Sequence, residues 1–238
     1  DILNVDSCSS ATYKITSTEG LQKLATLINE GKASYGTTKF VLMNDIDLSS
    51  VDNWTSIGGS QHEFKGYFYG NGHVISNMNI RTAYSIQGGG LFGYSRGCIK
   101  DLILKDASIS VGSDCLEAGL LVNTNYGQLK NIAISGAITG YLKYVGGCCA
   151  NNFATIDAVN VVVDITNKSS VDLNVGGIAG LTSSGLFNSY VSGNMYGNGG
   201  ALCGNISLGG SVCDNYSTMY ANNIISNIKP YDSGEIAH

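Results

Sequence analysis

Gly89-Gly90-Leu91-Phe92-Gly93, followed by Gly97-Cys98-Ile99-Lys100-Asp101-Leu102-Ile103-Leu104, sets a pattern that returns four more times down the chain. It recurs as Ala118-Gly119-Leu120-Leu121-Val122 with Gly127 to Ile134, and as Gly146-Gly147-Cys148-Cys149-Ala150 with Ala154 to Val161. Gly176-Gly177-Ile178-Ala179-Gly180 with Ser184 to Val191, and Gly200-Ala201-Leu202-Cys203-Gly204 with Val212 to Ser217, complete the series. The anchors lie roughly 24 to 30 residues apart, the spacing of a solenoid. Within a unit the apolar residues alternate as in strands and never fall at helical spacing. One column reads Ile99, Leu129, Ile156, Leu186, Val212; another reads Leu104, Ile134, Val161, Val191 and ends at Ser217. A single unit is too small to bury its inward face, but stacked units cover one another. The pattern predicts an all-β chain, a right-handed parallel β-helix of about seven coils. A leucine-rich solenoid lacks its Leu-x-x-Leu-x-Leu here, and an antiparallel sandwich lacks in-phase hairpin signals.

Working outward, the unit-opening glycines fit corners, where the chain either turns with positive φ or passes close to its neighbour. Asp101, Asn131, Asn188 and Asp214 form a polar column suited to left-handed turn geometry, interrupted by Ala158. On this alignment Cys148 and Cys149 replace core residues, in columns shared with Leu91, Leu120, Ile178 and Leu202, and with Phe92, Leu121 and Ala179. Upstream, residues 17–31 read as a helix with Leu21, Leu24, Ala25 and Ile28 on one face and Ser17 or Thr18 as its cap. It predicts an N-terminal lid, because a bare terminal coil exposes core and unpaired edges. Residues 38–85 predict two irregular coils, 88–217 the repeats, and 218–238 a C-terminal cap or tail, all within one domain spanning 1–238.

Composition agrees. The chain has 238 residues, 32 of them glycine and one proline, with 13% charged and 43% hydrophobic residues and a net charge of −5. Collagen requires glycine at every third position together with abundant proline, and disorder requires more charge and less Val, Ile and Leu. With 13 Lys+Arg against 18 Asp+Glu, neither nucleic acid nor an anionic membrane is the expected partner. No apolar run reaches transmembrane length and no signal peptide opens the chain, which reads as a mature or excised segment of something longer.

Gly-Gly-Leu-Phe-Gly at 89–93, Gly-Gly-Ile-Ala-Gly at 176–180 and Leu-Phe-Asn-Ser-Tyr-Val at 186–191 resemble the GLUG motif. The lead-in also resembles what precedes such repeats: the helix, Leu42-Met43-Asn44-Asp45-Ile46-Asp47-Leu48, Trp54, Ile57-Gly58, and Phe64 to Ile75. The resemblance covers about residues 13–217, with Ser56 where a proline is common and a weak third unit at Ala150, Ala154 and Ala158. It implies a parallel β-helix from secreted or surface-anchored bacterial proteins, such as the non-catalytic repeat regions of immunoglobulin-A-cleaving peptidases and large adhesins.

Chemistry is sparse. Parallel β-helices also host polysaccharide lyases and hydrolases, an analogy of fold alone. Hydrolysis wants two carboxylates across a groove. Asp45 and Asp47 share a face but sit in the lead-in, where turn or edge roles are expected. Asp114 and Glu117, flanking Cys115 in a loop, fall far short of a calcium shell. His73 follows Gly70-Asn71-Gly72, a tight turn. No Gly-x-Ser-x-Gly, His-Glu-x-x-His, C-x-x-C or Cys/His cluster is present, so neither catalysis nor a metal or other cofactor is expected.

Binding is the stronger expectation. If Leu102 and Leu104 point inward, the column Ile103, Ala133, Asn160, Tyr190, Tyr216 points outward and places the two tyrosines on adjacent coils. Such a row suits a glycan or a host surface protein in an adhesin, or else simply shields the sheet. Trp54, Tyr141 and Tyr144 are further aromatic candidates. A passive stalk is the alternative. Among the seven cysteines, Cys148 and Cys149 are expected on opposite faces. Cys149 and Cys203 are expected two coils apart, and Cys203 with Cys213 is the most plausible disulfide, in an extracellular setting.

Overall fold

The computed structural model describes residues 2–4, 11–32, 36–84, 89–113, 115–169, 174–207, 209–219 and 223–228. They form a parallel β-solenoid of about six turns with one short helix at the N-terminal end. One sheet stacks Thr12–Ile15, Lys39–Leu42, Tyr67–Tyr69, Cys98–Ser113, Gln128–Gly140, Ile156–Asn167, Gly185–Phe187 and Ser211–Cys213 in chain order. The second stacks Phe92–Ser95, Val122–Asn125, Cys149–Asn152, Ala179–Thr182 and Gly200–Ile206, with Asn223–Ile228 beyond. Every described pairing is parallel except that of Ile2–Asn4 with Thr12–Ile15. Asn223–Ile228 therefore extends the stack into the segment expected to be a cap or tail; residues 229–238 lie outside the described residues.

The register follows the sequence columns. Ile99, Leu129, Ile156, Leu186 and Val212 pair in succession, and all are fully buried. Leu104, Ile134, Val161, Val191 and Ser217 likewise pair in succession on the other flank of the turn, the first four buried and Ser217 partly exposed. The second repeat departs from its expected alignment. Gly89 bridges Ala118 but Phe92 pairs with Val122, so its corner holds one extra residue, and Val122 rather than Leu121 shares the column of Phe92 and Cys149.

The unit-opening glycines act by close approach rather than by positive φ. Gly119, Gly146, Gly176 and Gly200 pair in one column. A Cβ on Gly146 would overlap the carbonyl oxygen of Cys149 and crowd that of Ile178. Positive φ belongs to the polar column instead: 55° at Asp101, 53° at Asn131, 48° at Asn188 and 55° at Asp214. Asn131 Nδ2 donates to Asp101 Oδ1 at 2.7 Å. Ala158 holds the same left-handed geometry at 55° with no side chain to support it, and Asn188 bonds Asp157 Oδ1 instead at 2.8 Å. Left-handed geometry costs a residue with a Cβ about 1 kcal/mol, and asparagine tolerates it best. Ala158→Asn is therefore expected to raise the melting temperature by about 3 °C; an unchanged or lower value in a thermal melt would contradict this reading.

The helix runs Thr18–Asn29, with Ser17 Oγ accepting from the Gly20 amide at 3.2 Å. Leu21, Leu24, Ala25 and Ile28 are buried in the same core as the strands. Its last residue joins the sheet edge directly. Asn29 Nδ2 donates to the Ser56 carbonyl at 3.0 Å while its Oδ1 accepts from the Gly58 amide at 2.8 Å. One amide side chain thus imitates a neighbouring strand and blunts an edge that would otherwise be open. Beneath it, Phe40, Phe64 and Phe92 stack inside successive turns with ring centroids 5.9 and 5.1 Å apart.

Candidate recognition surface

Parallel pairing in register brings like positions of successive turns together, so outward aromatics fall into rows. Tyr190 pairs with Tyr216, and their rings stack at 5.8 Å with planes 18° apart. Tyr190 Oη lies 2.6 Å from Thr218 Oγ1, which fixes the ring's tilt. Tyr216 is 65% exposed. The rest of the predicted outward column is in place, with Ile103, Ala133 and Asn160 registered beneath Tyr190.

The other aromatic candidates do not join this row. Trp54 is buried in the core, its Nε1 donating to the Leu91 carbonyl at 3.1 Å, so it is a packing residue and no ligand contact. The loop that carries it folds inward over the first turns. Tyr141 stands exposed at a corner, and Tyr144 is half-buried beside the Lys143 ammonium.

A second row escaped the sequence reading. Arg96, Tyr126 and Phe153 each follow a buried polar residue at the same corner: Ser95, Asn125 and Asn152. The Arg96 guanidinium sits 4.4 Å from the Tyr126 ring centre, and Tyr126 stacks on Phe153 at 5.0 Å with planes 14° apart. Arg96 also pairs with Glu63. Under the rings runs a buried polar ladder. Asn125 Nδ2 donates to Asn152 Oδ1 at 2.8 Å, and Asn152 Nδ2 donates to Thr182 Oγ1 at 3.0 Å. The available signal was the dyad repeated at one corner, Ser-Arg, Asn-Tyr, Asn-Phe, which lies outside the apolar columns that drew the alignment.

The carboxylates serve the backbone. Asp45 Oδ1 accepts from the Val74 amide and contacts His73 Nδ1, both at 3.0 Å, and these bonds hold its carboxyl below the usual range. Asp47 Oδ1 accepts from Asn77 Nδ2 at 2.8 Å and from the Ser49 amide at 2.9 Å, with the same consequence. Cys115–Gly119 is a strand rather than a loop, and Glu117 Oε2 accepts from Asn123 Nδ2 at 3.2 Å. Asp114 lies outside the described residues.

The expected Cys203–Cys213 bridge is absent; both are free thiols. Cys203 is fully buried in the second sheet, whereas Cys213 lies in the first sheet beside inward-facing Val212 and is partly exposed, near Ser211 Oγ. Cys148 and Cys149 are both fully buried, as the core columns assigned to them require. They are not on opposite faces of a strand, because Cys148 belongs to the bend and strand alternation does not separate them. Ala179 does stand between Cys149 and Cys203, as the two-coil separation required. The hydrogen bond from Cys148 and burial push the Cys149 thiol well up, and burial pushes Cys203 up to about 12. Because reaction needs access to the sulfur, a maleimide is expected to modify the partly exposed Cys98 and Cys213 while the buried Cys148, Cys149 and Cys203 stay unmodified until unfolding. Native-state labelling of Cys203, read by peptide mapping, would contradict this placement.

No family model matches the chain. It is 30% identical over 143 residues to halomucin from Haloquadratum walsbyi, a stretch covering 56% of this chain and 2% of halomucin's length. In structure it resembles a Bacteroides ovatus protein provisionally described as an immunoglobulin A1 protease. That likeness has a TM-score of 0.63 at 18% identity and covers 94% of this chain and 78% of the other. At that identity the likeness is one of fold.

Proposed function

We propose that this chain is a non-catalytic recognition module of a secreted or surface protein, with Tyr190 and Tyr216 contacting a glycan or the surface of a host protein. The supporting observation is the stacked tyrosine pair, held in register by the solenoid with one ring largely open to solvent. A preorganised ring loses little conformational freedom on binding, which favours affinity per contact. The halomucin likeness and the GLUG-like repeats agree with a surface setting. Asp45 and Asp47, the carboxylates a hydrolase reading would use, are engaged in turn hydrogen bonds, which supports a structural role for them. Acidic net charge supports a partner other than nucleic acid or an anionic membrane.

The test is a glycan array and a panel of host surface proteins probed with residues 1–238. Saturable hits that Tyr216→Ala weakens about tenfold support the module, a change worth roughly 1.4 kcal/mol. A chain that binds nothing on either panel is a stalk.

A further inference from the structure

We infer that the face of Phe153 turned away from Tyr126 is a stacking subsite for a neutral sugar ring, which deepens the recognition reading proposed above by naming a second row and a ligand class. Backbone hydrogen bonds define the corner column. The amides of Arg96, Tyr126, Phe153, Ser183 and Ser207 donate to the carbonyls of Phe64, Ser95, Asn125, Asn152 and Thr182 respectively. Arg96, Tyr126 and Phe153 fill the first positions with stacked planar groups. The next two positions carry serine, so the stack stops while the column continues. Phe153 is 40% exposed, and among the described residues no ring or cation other than Tyr126 lies against it. A planar or flat-faced group placed above Ser183, at the strand spacing of about 4.8 Å, would extend the ladder by one step.

The surroundings select the occupant. Described residues 152–155, 182–185 and 206–211 carry amides, hydroxyls and glycines but no ionisable carboxylate or amine. A guanidinium or ammonium would find the ring but no counter-charge, and it is already provided for at the opposite end by Arg96 with Glu63. A pyranose offers an apolar face to Phe153 and hydroxyls to Ser183, Ser184 and Ser207. The corner is rigid beforehand. Asn152 Oδ1 accepts from the Ala154 amide as well as from Asn125, and Thr182 Oγ1 donates to the Ser184 carbonyl at 3.1 Å. The ring therefore stands where it is before any ligand arrives.

The probe is an array of neutral and sialylated oligosaccharides read with the wild type, Phe153→Ala, Ser183→Tyr and Tyr216→Ala, each shown folded by circular dichroism. Neutral-glycan signals should fall about tenfold in Phe153→Ala, as loss of a ring contact predicts. They should fall as far in Ser183→Tyr, which fills the slot with the protein's own ring and leaves Phe153 in place. Neutral signals unchanged in both variants, signals confined to sialylated glycans, or no neutral signal from the wild type would overturn the subsite. Loss in Tyr216→Ala alone would remove this subsite and leave the tyrosine-pair reading standing. Loss in Phe153→Ala and Ser183→Tyr alone would do the reverse.

Discussion

Gly146→Ala is expected to lower the melting temperature by about 9 °C, the equivalent of about 3 kcal/mol in a chain of this length. The added methyl group would overlap the Cys149 carbonyl oxygen and meet the Ile178 carbonyl and the Ala179 Cα, all backbone atoms of the same or the next turn. Backbone cannot rotate away as a side chain can, so the turns must part and the parallel ladder between Gly146 and Gly176 must stretch. Gly176→Ala should behave alike, for its Cβ would meet the Ala179 carbonyl and the Gly204 amide. Gly59, by contrast, has open space where its Cβ would stand, and Gly59→Ala should stay within about 0.5 kcal/mol of the wild type. Equal melting temperatures for Gly146→Ala and Gly59→Ala would show that the turns are not packed as closely as described.

Asn152→Ala is expected to cost about as much, roughly 3 kcal/mol, for a different reason. Asn152 is fully buried and uses its whole amide. It accepts from Asn125 Nδ2 and the Ala154 amide, and it donates to Thr182 Oγ1 and to the Gly185 carbonyl at 3.4 Å. Truncation leaves the Asn125 donor without its partner in a region closed to water, and an orphaned buried polar group loses its full solvation. A denaturant melt reads the loss. Hydrogen exchange should show it concentrated at the Asn125, Asn152 and Thr182 corners, because a solenoid couples mainly nearest neighbours. A loss below about 1 kcal/mol would mean that water reaches the corner and replaces the amide.

The solenoid was legible because its inner face is periodic in a way that only stacking explains. Ile99, Leu129, Ile156, Leu186 and Val212 can be aligned by eye, and the structure pairs them in that order. The same was true of the outward tyrosines, since strand alternation carries over from the buried column. Legibility failed at corners, where one residue more or less changes which side chain enters a column. That is why Val122 took the position expected of Leu121 and why strand alternation does not put the vicinal cysteines on opposite faces. It failed again for Trp54, whose loop folds inward, and for the Arg96, Tyr126 and Phe153 row. Those three residues differ in type, and the dyads that mark their column lie outside the apolar periodicity, so the backbone path is what makes the column plain.

The register that places Tyr190 on Tyr216 underlies the whole account, and paired cysteines test it most directly. In a background with Cys98 and Cys213 replaced by Ser, the pair Tyr190→Cys with Tyr216→Cys occupies adjacent registered positions. The pair Asn160→Cys with Tyr216→Cys is separated by the intervening turn of Tyr190, roughly 9.6 Å at strand spacing. Because a disulfide needs Cα atoms within about 7 Å, mild oxidation followed by peptide mapping should link the first pair and leave the second as thiols. A link between positions 160 and 216, with none between 190 and 216, would contradict the register and with it the tyrosine pair.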